Sequence, residues 1–410
     1  MPLTPDQISV IKATIPVLKE GGVTLTTKFY ENMLNEKPEV RPFFNPAHQA
    51  SGMQPKALAH SLLLYATYID DLGKLSDLVE RIVSKHVTLL IQPDQYPIVG
   101  EYLIRTMKEV LGDLATDEVI GAWTAAYGDL ANLLIDLEEK RYQSFEWRGF
   151  RQFTVSQKIK ETPDVVSLIL TPKDGHKIHK SAKPGQYLGI KLTDETAFSK
   201  FEGSIRREYS ISDVSHDDHL RISVKRIPGG VASNYIHDNL KVGDVVDLTP
   251  PAGGLVYDAE ENVPHKEVFL LAGGIGITPI LPIAKQITSQ FPNVKVTFVN
   301  SSHTPEDQPF VDEINNIVAS SKNFEVVNFY SKVAGTTSPI KNSTVKTGHL
   351  IKEALDELVK DKENSLVYYL GPVSYMISIA KYLKELGIPE NQTHREFFFP
   401  DQSLTIELSS

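Results

Sequence analysis

VFLLAGGIGITP, residues 268–279, sets the reading of the 410-residue chain. An apolar run suited to a buried strand passes directly into glycines and then into a helix opened by Pro279. Glycines at such a turn let backbone N–H groups approach a pyrophosphate at the helix N-terminus. A glycine-rich turn can also serve tight packing alone, but the later LGP turn at Leu370 favours a cofactor crevice lined by Gly274, Gly276, Thr278 and Pro279. The missing third glycine of GxGxxG spacing argues against a dinucleotide fold of dehydrogenase type. Around this stretch, a helix through Ile283–Thr288 precedes strand VKVTFVN, a helix near Phe310–Ser320, strand FEVVNFY, a helix at His349–Leu358 and strand SLVYYLGP. This alternation predicts a parallel α/β sheet over residues 264–410. KVAGTTSPIKNSTVKTG, between two of these elements, reads as a polar loop.

Upstream the texture is one of short alternating segments: Phe153–Ile159, Val165–Leu170, Tyr187–Leu192, Tyr209–Ser212, Leu220–Arg226 and Val245–Leu248. They predict a β-barrel over residues 149–258. In RREYS, from Arg206, an arginine can pair with a cofactor phosphate, a tyrosine ring can cover a flat ring system and a serine can reach a polar ring edge. By itself RREYS is an ordinary amphipathic strand. With PGQYLGI before it and GGVASN after it, which supply a second strand and a helix N-terminus for an anion, it reads as a flavin site that passes electrons to or from a nicotinamide.

Residues 1–142 carry almost no strand signal. Thr4, Pro5 and Gln7 form a capping-box pattern, so a helix should start there. Apolar spacing runs through Ile8, Ile11, Ile15 and Leu18 up to Gly21-Gly22, recurs through Leu25, Phe29 and Met33, and then through Leu62, Tyr65 and Ile69. Further helices are expected at about 75–88, 97–111 and 117–140. His86 stands late in an amphipathic helix, ahead of QPDQY. A neutral imidazole there can bind iron axially while its other nitrogen donates to Tyr96 or Glu138. His48 and His60 are rival ligands. Tyr30 and Gln54 sit on otherwise apolar helices, where they either bond to backbone carbonyls or meet an iron-bound ligand.

Composition narrows the classes further. With 41% hydrophobic and 23% charged residues the chain can bury more than one core. A formal charge of −10 argues against nucleic-acid or acidic-membrane binding. Zero cysteines exclude disulfides, thiolate haem, cysteine-bound zinc and iron–sulfur clusters. No stretch approaches the roughly 20 apolar residues of a membrane span, and the N-terminus lacks a signal pattern, so a cytoplasmic protein is expected.

KFYENML, GMQPKALAH, KHVTLLIQPDQYPIVGE, WTAAYGDLANLLIDLEE, KPGQYLGI, REYSI, VKRIPGGVASNYIH, AGGIGITP, LGPVSYM and EFFFP follow one another in this chain. In that order they resemble the flavohaemoglobins over essentially the full length. The resemblance implies an all-α globin domain, then an antiparallel β-barrel FAD domain, then an α/β parallel-sheet NAD(P) domain, with haem b, FAD and NADH or NADPH as cofactors. It implies His86 as the proximal iron ligand, tightened by Tyr96 and Glu138, and Tyr30 and Gln54 as distal partners of bound oxygen. Leu58 would limit access, Phe44 would pack the haem plane and Lys85 would contact the haem. Arg207, Tyr209, Ser210, Gln186, Tyr187 and Ser233 match FAD contacts, and Glu396 and Phe398 match the tail near the flavin. Two departures stand out: Leu370 where the family usually has Cys, which loosens control of hydride geometry, and Phe399 where a Gly is common. A short linker, QSFEWRGF, also bears on how the haem and flavin domains face each other.

The activity implied by the resemblance is nitric oxide dioxygenation, in which NO and O2 become nitrate at the expense of NAD(P)H. The alternatives are an oxygen or NO sensor or store with an accessory reductase, and a flavin reductase for a separate protein acceptor. A monomer is expected. Apolar, lipid-like ligands fit the mostly apolar haem helices, and Asn300-Ser301-Ser302-His303, which offers no Arg for a 2′-phosphate, slightly favours NADH.

Overall fold

The chain enters its first helix as the capping pattern predicts: Thr4 Oγ1 accepts from Gln7 N at 3.2 Å while Gln7 Oε1 accepts from Thr4 N at 2.9 Å. The computed structural model describes residues 3–178, 182–258, 267–332 and 337–398. These fall into two compact units, one built on the chain up to Phe150, with which Gly189–Arg207 is grouped, and one beginning at Arg151.

The first unit is helical: α1 (Pro5–Ala13), α2 (Ile15–Glu36), α3 (Pro46–Ala50), α4 (Met53–Thr67), α5 (Ser76–Leu89), α6 (Tyr96–Leu111) and α7 (Asp117–Ser144). Helix α2 runs straight through Gly21-Gly22, where the sequence suggested an end. The break falls instead at Thr14, before Pro16, and Gly22 is buried where α2 approaches α4 at Ala59. Thr26 Oγ1 donates across that contact to Pro55 O at 2.7 Å. The core gathers Ile11, Leu25, Phe29, Met33, Leu62, Tyr65, Leu103 and Trp123.

From Arg151 the chain forms β1 (Arg151–Lys160), β2 (Val165–Pro172), β3 (Tyr187–Thr193), β4 (Ser204–Asp213), β5 (Leu220–Lys225), helix α8 (Val231–Asp238) and β6 (Val245–Leu248). The six strands close in the order β1-β2-β5-β4-β3-β6. Closure leaves no unpaired edge. A bulge separates the pairs Ile211↔Ile222 and Asp213↔Arg221 of β4 and β5.

The second layer system comprises β7 (Glu267–Gly273), α9 (Ile277–Gln290), β8 (Lys295–Ser302), α10 (Val311–Ser320), β9 (Phe324–Tyr330), β10 (Thr344–Thr347), α11 (Lys352–Leu358), β11 (Ser365–Leu370), α12 (Val373–Glu385) and β12 (Thr393–Arg395). The sheet order is β10-β9-β8-β7-β11-β12, and its paired strands are parallel. Its central strands read as continuous apolar runs because helices cover both faces. Val268, Phe269, Leu270, Leu271, Leu366, Val367 and Tyr368 are all fully buried. Strand β10 lies in the stretch read as a polar loop; its four residues pair on one side only, at the sheet edge, so no hydrophobic signal marks it. Phe399 lies outside the described residues. Among those described, no helix is long and apolar enough to cross a membrane.

Gly100, in α6, faces Tyr127, so that an added Cβ would lie 2.5 Å from the ring. Gly100→Ala should therefore overpack this face and cost about 1–3 kcal/mol. The check is a lower thermal midpoint by tryptophan fluorescence, since Trp123 and Trp147 are the chain's only tryptophans.

Candidate functional site

Helix α5 ends because Leu90 takes a left-handed conformation with φ +56°, and Ile91 N returns to His86 O at 2.9 Å. The chain then turns through Gln92, whose N–H is capped by Gln95 Oε1 at 2.9 Å, and α6 opens on Tyr96. This sharp corner sets His86 beside Tyr96 and, from α7, Glu138. His86 Nδ1 lies 2.7 Å from Glu138 Oε1 and 3.0 Å from Tyr96 Oη, and Tyr96 Oη donates to the same carboxylate oxygen at 2.5 Å. Glu138 is only 3% exposed. A carboxylate accepts only, so the proton belongs on Nδ1 and the lone pair of Nε2 is left for coordination. Burial, followed by the Glu138 bond and its charge, pushes the Tyr96 phenol well above its usual range, so it stays a donor.

On the other helices, Gln54 Nε2 donates to Tyr30 Oη at 3.2 Å, and the Phe44 ring stands edge-on to Tyr30 with centroids 5.5 Å apart. Burial pushes the Tyr30 hydroxyl up to about 12 against the smaller lowering effect of Gln54, so it carries its proton at neutral pH. Because Gln54 supplies the proton of their mutual bond, the Tyr30 O–H is left to donate elsewhere. Leu58 packs against the same core. Of the rival histidines, His60 is buried in α4. His48 in α3 contacts Asn45 Nδ2 at 3.3 Å and is pushed down to about 4 by burial, with the Lys85 charge adding to the effect. An imidazole with one nitrogen engaged by a buried carboxylate and the other free to coordinate suits a haem iron, and His86 fits that description.

Along strand β4, Tyr209 stands two residues beyond Arg207 and so on the same face. Arg207 bonds to Arg206 O at 2.6 Å. Gln186 accepts from Lys183 N at 2.8 Å and from Ile211 N through its backbone oxygen at 2.9 Å, which ties the PGQY turn to β4. Tyr187 pairs with Ala252 in both directions. Ser233, expected as a cofactor contact, uses its hydroxyl to accept from Ile227 N at 3.1 Å and closes the GGVASN turn at the start of α8. At the far end of that helix Lys158 Nζ donates to Ile236 O, His237 O and Leu240 O, each at 2.8 Å. A cation there complements the helix dipole and holds the C-terminal end of α8.

The sheet order reverses between β7 and β11, and ligands of open parallel sheets bind at the C-terminal ends of strands flanking such a point. The two sequence turns meet there. A Cβ on Gly276 would lie 2.1 Å from Leu370 O, so the GGIG turn can sit against the LGP turn only as glycine. Thr278 Oγ1 donates to Ile275 O at 2.9 Å and Pro279 is buried in the first turn of α9. At the ends of the neighbouring strands, the fully buried Asn300 Oδ1 and Asn328 Oδ1 have no hydrogen-bond partner. Buried orphan acceptors beside a glycine turn fit a nucleotide that supplies donors. The sequence reading missed Asn328 and also Tyr375, whose ring packs beneath Gly273 and Gly371; only register and a helix packed on the turn reveal them. Glu396 Oε1 accepts from Phe397 N at 3.0 Å, and Phe398 packs on the core of this sheet.

Comparison with known proteins agrees with this layout. Residues 27–134 match the globin family, 152–257 the oxidoreductase FAD-binding domain and 270–381 the oxidoreductase NAD-binding domain. A flavohemoprotein of Pseudomonas putida is 42% identical over 98% of this chain and 100% of that protein. One of Schizosaccharomyces pombe is 42% identical over 97% and 92%. The crystal structure of a flavohemoglobin from Malassezia yamatoensis with bound FAD and heme superposes with a TM-score of 0.83 at 27% identity, covering 97% of this chain and 99% of that one. The FAD/NAD-binding domain of a nitric oxide dioxygenase from Vibrio cholerae superposes at 0.52 with 30% identity, over 61% of this chain and 98% of that one.

Glu138→Gln keeps an acceptor for His86 Nδ1–H but removes the charge. The midpoint potential of the haem-loaded protein should rise, because a less electron-rich imidazole stabilises ferric iron less. An unchanged potential would show that the carboxylate is not felt at the metal.

Proposed function

The chain belongs to the flavohaemoglobin family, and from that premise we propose that it is a nitric oxide dioxygenase, converting NO and O2 to nitrate with electrons from NADH or NADPH. Its haem, FAD and NAD modules make it an oxidoreductase that takes small-molecule ligands. When bound, FAD supplies the conversion of a two-electron donor into single-electron steps, and haem supplies the iron at which the gases react.

The residues of this chain then do the following. His86 would hold the iron through Nε2, while Glu138 and Tyr96 would keep its Nδ1 proton in place and make the imidazole a stronger donor. Tyr30, itself oriented by Gln54, would supply its hydroxyl proton as the hydrogen-bond donor for a small oxygen-containing ligand on that side. Phe44 and Leu58 wall the pocket and Lys85 lies alongside it. Arg207, Tyr209 and Ser210, with Gln186, Tyr187 and the α8 turn at Ser233, bind FAD. Gly274, Gly276, Thr278 and Pro279 bind the nicotinamide nucleotide, and Glu396 and Phe398 close over the flavin. Leu370 lies where its side chain shapes hydride geometry. The same reading takes the protein to be a cytoplasmic monomer that slightly prefers NADH and admits apolar ligands to the haem pocket.

The observation that carries this proposal is the pairing, in one helical unit, of a carboxylate-backed histidine with a buried, protonated tyrosine. A simple oxygen store needs no such strongly donating proximal side.

In air, the haem- and FAD-loaded protein should consume NO rapidly and form matching nitrate with NADH, more slowly with NADPH. Slow consumption with normal flavin reduction would instead favour a sensor or a separate protein acceptor. Tyr30→Phe should speed O2 release by roughly fivefold or more, the equivalent of one hydrogen bond of about 1 kcal/mol; an unaltered off-rate would remove Tyr30 from the distal role. His86→Ala should lose haem and keep flavin reduction, whereas normal haem content would redirect the assignment to His60.

A further inference from the structure

We infer that Arg221, Lys285 and Glu313, together with Asp213, form a clamp that fixes the flavin-to-nicotinamide distance, which makes them positioning residues for hydride transfer. The inference rests on the placement of FAD along β4 and of the nucleotide at the turn before α9. In that transfer an electron pair and its proton leave the nicotinamide as a hydride and reduce the flavin.

Arg221 lies in β5 and is 7% exposed. Its guanidinium meets the Glu313 carboxylate as a fork, Nη1 to Oε1 at 2.5 Å and Nη2 to Oε2 at 3.1 Å. The bulge in β4 turns Ser212 toward the same group: Arg221 Nε donates to Ser212 Oγ at 3.1 Å and Nη2 to Ser212 O at 2.9 Å. Phe310 covers the guanidinium at 4.8 Å from its ring centroid, and does so from a left-handed conformation, φ +62°, that side chains with a Cβ avoid. Lys285 Nζ completes the cluster, 2.5 Å from Glu313 Oε2 and 3.6 Å from Asp213 Oδ2. Burial acts to raise both carboxyl groups, but Arg221 and Lys285, joined at Asp213 by the Ser215 hydrogen bonds, outweigh it and hold both below their usual range.

The arrangement joins the elements that carry the two cofactors. Strand β4 holds Tyr209 and Ser210 and ends at Ser212 and Asp213. Helix α9 starts at the nucleotide turn and carries Lys285, and α10 presents Glu313 between them. Exposed ion pairs add little to stability, and buried ones must recover a desolvation cost. A balanced cluster with two cations, two carboxylates, a bulge and a strained aromatic lid is more than barrel stability requires. Reacting atoms must approach to about 3–3.5 Å, and a misplacement of about 1 Å can cost a hundredfold in rate.

The test uses the full chain loaded with FAD and haem. In Arg221→Met and Lys285→Met the limiting rate of flavin reduction by NADH should fall about tenfold to a hundredfold. The long-wavelength charge-transfer absorbance of NAD+ stacked on reduced flavin should weaken, while FAD content and NADH affinity hold. Arg221→Lys, which keeps the charge and loses the fork, should fall between. Lys285 is partly exposed, so folding is not at issue in its variant. Wild-type rate and absorbance in both Met variants would overturn the clamp, as would a rate loss matched by FAD loss. Failure of the unaltered chain to retain FAD or be reduced by NADH or NADPH would bring down the cofactor placement, and the clamp with it.

Discussion

A buried carboxylate organises the helical unit. Removing Glu138 from water costs several kcal/mol unless its lone pairs are filled, and the structure fills one oxygen with both His86 Nδ1–H and Tyr96 O–H. The three groups come from α5, the first residue of α6 and α7, so satisfying one charge fixes three helices. The same bonds decide the chemistry: they place the proton on Nδ1, leave the Nε2 lone pair able to coordinate, and help keep Tyr96 protonated. Tyr127 extends the network by donating to Tyr96 O at 2.7 Å.

In the other unit the governing constraint is steric. Two backbone turns, GGIG after β7 and LGP after β11, press together until no Cβ fits at Gly276. That close approach exists because β7 and β11 are neighbours in the sheet although far apart in sequence. It creates the crevice end at which the sheet order reverses. The buried acceptors of Asn300 and Asn328 line up there through the register that pairs them across β8 and β9.

Much of this was legible in the chain itself. Local rules carried the capping box at Thr4, the strand FEVVNFY, which forms over its full quoted length, and the helices beginning near Ser76, Tyr96 and Asp117. His86 with Tyr96 or Glu138 as its partner was also nameable, as were Tyr30 and Gln54 as polar groups on apolar helices, but their bond to each other was not. What failed was local inference where packing overrides propensity. Gly21-Gly22 looked like a stop and is a close helix contact. Strand β10 looked like a loop because an edge strand of four residues needs no apolar face.

Periodicity and glycine placement determined a helical module, a barrel, and a parallel sheet with a glycine-rich turn before a helix, and the absence of cysteine ruled out thiolate ligation of any metal. These are properties of neighbours along the chain, governed by backbone sterics and by which face a side chain occupies. Only the tertiary structure decided which carboxylate holds His86, which turn Gly276 meets, and that Arg221 of the barrel pairs with Glu313 of the sheet. Such pairings join residues far apart in sequence, and their energies depend on burial and distance, quantities that come into existence only when the chain is packed.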